Sequence, residues 1–279
     1  MIKVKNLLHK VNNKLNIDTD EEMKLKEKLP WNDSYIKQND EIVLGRSYNE
    51  REVTFDLNKT PNMLIVANEG MGRTVVLQNI LWQMINKDFE TIVIDLSNIE
   101  YTAFHKKVGK IITDLDKADD IFDLLVREHR KRIKLFRETG CRDIKEYNYI
   151  HSKNKVKRIG VVIDNPEAFF INDKNIKLIK NIEKNIEDLS KYSCITGISL
   201  FIGVRARMYK DISRNLVENI PLKLCTSMYE KKESISIIGN DKVTHINKIP
   251  GRMILKKDNS LIEFQGYYFD AYSHLKEIR

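Results

Sequence analysis

The chain has 279 residues, 42% hydrophobic and 32% charged, enough to enclose a core of its own and to form one large α/β domain with a short appendage. Its formal net charge of +8 favours anionic partners such as nucleic acid or an acidic membrane surface, although interleaved acids and a lysine-biased composition give the same sum. No apolar run reaches the ~18–20 residues that span a bilayer, no signal-peptide core opens the chain, and Cys141, Cys194 and Cys225 lack zinc or C-x-x-C spacing, so a cytoplasmic protein with reduced core thiols, at most peripheral to a membrane, is expected.

Residues 1–40 read as a basic N-terminal extension and residues 41–279 as the main domain. Ile2, Val4, Leu7, Leu8, Val11 and Leu15 recur at helical spacing in basic surroundings, which predicts an amphipathic helix that packs on its own domain in preference to lipid. Leu29-Pro30-Trp31-Asn32-Asp33 reads as a stop and turn. From Glu41 onward short β-like runs alternate with helical stretches, the pattern of a parallel sheet covered by helices. Strands are predicted at 63–67, 91–95, 159–164, 198–203 and 222–225, with a closing hairpin of 252–255 and 261–265. Helices are predicted at 75–85 and at 118–139, the second stopped by Gly140 with Ile121, Leu124, Leu125 and Leu135 toward the core.

The strand at 63–67 runs into Ala67-Asn68-Glu69-Gly70-Met71-Gly72-Arg73-Thr74, and a helix follows from Val75. This lines up with G-x-x-x-x-G-K-[ST], in which loop amides and a helix N-terminus hold phosphates, the lysine reaches the β/γ oxygens and the hydroxyl ligates Mg²⁺. Gly70, Gly72 and Thr74 match; Ala67 replaces the first glycine and Arg73 the lysine. Arginine keeps the charge, but its planar fork does not fit the compact place of an ammonium. Glu69 adds a carboxylate that repels phosphate unless it turns outward. Taken alone, the segment is equally an ordinary strand-to-helix turn containing glycines.

The strand at 159–164 changes that balance. ATP-driven motors end the corresponding strand in Asp-Glu, the first supporting Mg²⁺ and the second polarising the attacking water. Here Val161-Val162-Ile163 ends in Asp164-Asn165. An amide orients a water but does not take its proton, and Glu167 lies beyond Pro166, which redirects the chain. Ala67 through Val75 are therefore the expected nucleotide-binding residues, Thr74 and Asp164 the expected metal ligands, and ATP with Mg²⁺ the expected cofactors.

In the order of these segments, residues 42–265 resemble the FtsK/SpoIIIE family. Val43-Leu44-Gly45-Arg46 with Val53-Thr54-Phe55-Asp56-Leu57 is similar to its leading hairpin, and Thr60-Pro61-Asn62 to its approach to the phosphate loop. Asn219-Ile220-Pro221 resembles its Asn-Ile-Pro segment, and Thr196 to Ile202 its sensor strand. The resemblance implies a RecA-like P-loop fold with a mainly parallel central sheet flanked by helices, a homo-oligomeric ring interface and a cytoplasmic face. Members move double-stranded DNA during division, sporulation and conjugation, and related domains drive type VII protein secretion. The sensor glutamine is replaced by Arg205, which joins Asp164 and Asn165 as the candidate catalytic set, and Ile235 stands where many members carry arginine.

The expected function is a nucleotide-binding motor domain for DNA translocation or transfer with weak or absent ATP hydrolysis. The alternative is a degenerate regulatory or structural domain of a type VII secretion system. DNA contact is expected to be electrostatic, because no helix-turn-helix, zinc finger or winged element is legible. Without DNA, the partner is a protein of a secretion or transfer complex. His129 and His151 belong to no catalytic arrangement and are expected to be structural.

Overall fold

The computed structural model describes residues 25–166 and 175–277. The predicted helix near the N-terminus and Glu167 lie outside them. The strands are β1 (Leu29–Pro30), β2 (Glu41–Ser47), β3 (Glu52–Asp56), β4 (Met63–Ala67), β5 (Glu90–Asp95), β6 (Lys110–Ile112), β7 (Ile159–Asp164), β8 (Ile198–Arg205), β9 (Leu222–Thr226), β10 (Arg252–Lys257) and β11 (Ser260–Tyr268). The helices are α1 (Arg73–Asn86), α2 (Leu115–Glu138), α3 (Ile144–Ile150), α4 (Ile176–Lys191), α5 (Ser193–Thr196), α6 (Arg214–Asn219), α7 (Lys231–Ile238) and α8 (Ala271–Glu277).

Among the described residues these strands form one sheet in the order β3-β2-β11-β10-β9-β4-β8-β7-β5-β6, with β1 beside β11. The run β9-β4-β8-β7-β5-β6 is parallel throughout. From β9 through β10, β11, β2 and β3 successive strands are antiparallel, while β1 runs parallel to β11. The expected parallel sheet is thus its core, widened by a four-stranded antiparallel flank. β4 reads Met-Leu-Ile-Val-Ala without a polar residue because both sheet faces are covered: Leu64 and Val66 join one core cluster, Met63 and Ile65 the other.

On the first face α2 and α4 lie over the sheet, contributing Phe122, Leu125, Ile182 and Leu189 to the core. Asp114 caps α2 by accepting from the Lys117 amide at 2.8 Å, and Gly140 at φ 68° follows its end. Leu124 departs from expectation, being 48% exposed. The buried stripe is centred on Phe122, Leu125, His129 and Arg132, which leaves Leu124 at its outer edge. Cys194, expected in the core, is exposed on α5, while Cys141 and Cys225 are buried free thiols.

The opposite face is held by α1, buried continuously from Val76 to Met84. Gln83 explains why a polar residue sits there. Its amide donates to the Val43 carbonyl at 2.8 Å and accepts from the Val43 amide at 2.9 Å, beside the bulge where β2 shifts register between Val43 and Gly45. The far end of α1 meets both ends of the described chain at Asp33. Trp31 and Trp82 each donate their indole N–H to Asp33 Oδ1 at 2.8 Å, and the imidazole Nε2 of His274 on α8 lies 3.0 Å from the same oxygen.

Candidate nucleotide site

Sheet register brings four strand ends together. Ala67 on β4 is opposite Arg205 on β8, Gly203 on β8 is opposite Asp164 on β7, and Asp164 is opposite Asp95 on β5. These are the carboxyl ends of parallel strands, the place where open α/β sheets bind ligands. The loop 68–72 leaves β4 here and turns into α1.

Backbone contacts fix that loop. The Asn68 side chain donates to the Ser227 carbonyl at 2.8 Å, its amide to the Thr226 hydroxyl at 3.3 Å, and the Gly251 amide donates to the Met71 carbonyl at 3.1 Å. Gly72 sits at φ 94°, where a Cβ would also lie 3.3 Å from the Gly251 nitrogen, so only glycine suits both conformation and approach. A cavity of about 440 Å³ opens alongside, lined by Gly70, Gly72, Val75, Pro250 and Tyr268 among others. Such a mixed apolar and backbone-lined cleft beside a phosphate-type loop has the size for a nucleoside.

Arg73, the first residue of α1, turns toward β7. Its Nε lies 2.9 Å from Asp164 Oδ1, and its Nη2 donates to Asn165 Oδ1. Thr74 donates its hydroxyl to Asp164 Oδ2 at 2.8 Å, and the Tyr101 phenol donates to that oxygen at 3.3 Å. Burial lifts the Asp164 carboxyl above its ordinary value, while Arg73 and the two hydroxyls pull it down. Burial and the Asp164 charge push the Tyr101 phenol well up, so it remains a donor. Glu100, in the loop after β5, is raised by partial burial and then by Asp164 and Asp95.

The arrangement bears directly on a divalent ion. Thr74 and Asp164 are neighbours, as a metal pair requires, but the guanidinium of Arg73 already holds the carboxylate at Oδ1 and brings a positive charge where the ion would sit. As arranged, these side chains do not fit Mg²⁺. Among the described residues no group of three His, Cys, Asp or Glu is placed to hold a metal either.

Glu69 turns outward, as phosphate binding demands. Its Oε1 lies 3.3 Å from Arg205 Nη1 and 3.4 Å from Arg207 Nη2. Every residue expected at the site from 67 to 75, with Asp164, Asn165 and Arg205, is therefore gathered at these strand ends. Ile235 is exposed on α7. His129 is buried in the core and His151 stacks on Tyr147. Tyr101, Glu100, Gly203 and Gly251 were not anticipated; they reach the site through strand order, and no local motif marks them.

Comparison with known proteins agrees with this geometry. The FtsK/SpoIIIE family model matches residues 27–245. The DNA translocase SpoIIIE of Bacillus subtilis (strain 168) is 26% identical over 213 residues, 71% of this chain and 26% of that protein. This chain spans only 26–28% of the length of such curated relatives. Among solved structures, the pCW3 conjugation coupling protein TcpA, in its monomer form with ATPγS, has a TM-score of 0.85 at 31% identity, covering 92% of this chain and 75% of that one. EssC ATPases 2 and 3 of Geobacillus thermodenitrificans share the fold, with a TM-score of 0.77 at 19% identity over 91% of this chain and 52% of theirs. With the family model matching residues 27–245, most of its length, the chain belongs to the FtsK/SpoIIIE family.

Proposed function

We propose that this domain binds nucleotide within a DNA-transfer apparatus of the conjugative coupling kind and hydrolyses it weakly or not at all. Family members generally use nucleotide and Mg²⁺; the observation that carries the reading for this chain is Asn165. The residue that would take a proton from water is an amide, and its oxygen accepts from Arg73. Hydrolysis needs a positioned water, a proton acceptor and charge on the transferred phosphoryl group. Asn165 supplies positioning at best, while Arg73 is engaged with Asp164. Arg205 lies beside the loop with its Nη1 3.3 Å from Glu69 Oε1.

DNA as the handled substrate is supported by the translocase and coupling-protein names of the relatives and by the +8 charge. The likeness to EssC carries the fold alone, so a type VII secretion role has no separate support. A ring of copies, or entry into a partner's ring, at the cytoplasmic face of a membrane completes the reading. Among the described residues no helix is long and apolar enough to cross a membrane.

The test is ATP turnover by the purified protein with and without double-stranded DNA. Turnover should stay near background, since losing a base or an electrostatic stabiliser commonly costs about 10²-fold or more. The double variant Arg73→Lys, Asn165→Glu should raise it. Robust DNA-stimulated turnover by the unaltered protein, abolished by Thr74→Ala or by Glu100→Gln, would overturn the proposal, the latter identifying Glu100 as a substitute base.

A further inference from the structure

The pairing of Arg73 with Asp164 has the form of a metal contact made by a side chain. We propose that Arg73 takes the place of the divalent ion, so that this domain binds the metal-free form of a nucleoside triphosphate. The inference rests on the nucleotide-binding reading above.

Three features support it. Nε of Arg73 lies 2.9 Å from Asp164 Oδ1 while Nη2 bonds Asn165, so one guanidinium spans the two residues that end β7. Thr74 and Tyr101 both donate to the remaining carboxylate oxygen, and Thr74 is the hydroxyl a metal would need. An added divalent cation would therefore sit beside a guanidinium of like charge, against a carboxylate whose oxygens already have partners. The neighbouring strand also leaves space for this path of the side chain. A Cβ at Gly203 would lie 3.0 Å from Arg73 Cδ and 3.2 Å from Cγ, so the stem runs over a strand position that carries no side chain.

Fluorescence titration with mant-ATP in excess Mg²⁺ and in excess EDTA tests this directly. The unaltered protein should give dissociation constants that agree within about twofold. In Arg73→Lys the shorter ammonium vacates Asp164, and Mg²⁺ should then tighten binding by about tenfold or more. An unaltered protein whose affinity falls by about tenfold or more in EDTA would overturn this inference while leaving nucleotide binding intact. Absence of binding in both buffers would overturn both. Equal affinities that persist in a folded Arg73→Lys would remove Arg73 from the explanation and overturn the substitution it is assigned. The comparison in unaltered protein decides metal dependence even if the variant does not fold.

Discussion

Asn165 holds φ at 57°, in the left-handed region that asparagine enters at less cost than most residues. Its amide nitrogen donates to the Gly203 carbonyl at 3.2 Å, which ties that conformation to β8. Asn165→Glu should therefore lower stability by about 1 kcal/mol while it adds a proton acceptor, and urea unfolding beside the turnover assay separates the two effects. Gly203→Ala is the sharper residue-scale prediction. The new methyl would meet Leu77 Cδ1 at 2.6 Å and the Arg73 stem at 3.0 Å, and overpacking of this kind costs about 1–3 kcal/mol. A loss below about 0.5 kcal/mol would mean that Arg73 readily leaves its path over β8. Arg73, Thr74, Asp164 and Asn165 were legible in the sequence because loop motifs keep fixed spacing. What Arg73 bonds to was not, since Asp164 is ninety-one residues away and only the pairing of β7 with β8, and of β8 with β4, brings it close.

At the scale of elements, five of the six parallel strands were legible because burial on both faces leaves unbroken apolar runs, as at residues 159–164, whereas β6, three residues long and partly exposed, was missed. α4 was not recognised. Ile179, Ile182, Ile186 and Leu189 are its buried stripe, but they are spread among lysines, asparagines and acids, so periodicity is strong where mean hydropathy is low. Leu124 misled for the opposite reason, a leucine at helical spacing just outside the buried face. α2 also predicts a pH dependence. His129 is buried, with its Nδ1 3.1 Å from the Thr196 hydroxyl and its ring near Tyr192; Asp188, Arg130 and Arg132 are the charges that act on it. Burial, reinforced by the two arginines, depresses its pKa below the ordinary 6.5 despite Asp188. The unfolded chain thus binds the proton more readily, so this contribution to stability is complete above pH 6.5 and is lost as pH falls from there through the folded value. Urea midpoints of unaltered protein and His129→Gln should converge as pH is lowered from 7 to 5. Parallel midpoint curves would show that His129 titrates alike in both states.

At the scale of the whole molecule, the excess of cations predicts that any DNA binding is electrostatic, with affinity falling steeply as salt rises; a salt-insensitive affinity would point to base reading or a protein partner instead. Sheet order adds a constraint on assembly of the fold. β2 pairs with its sequence neighbour β3 but also with the far distant β11, and such distant pairings make folding slow. Asp33 lies where these ends close. The chain has two tryptophans, and both donate to that one carboxylate. The protein's entire indole emission therefore originates at a single junction, which makes it an intrinsic optical gauge and not an average over the molecule. Trp82 stands nine residues beyond Arg73 on α1, roughly 13 Å along the helix axis, so a tilt of α1 caused at the phosphate loop would register as a change in colour without any attached dye.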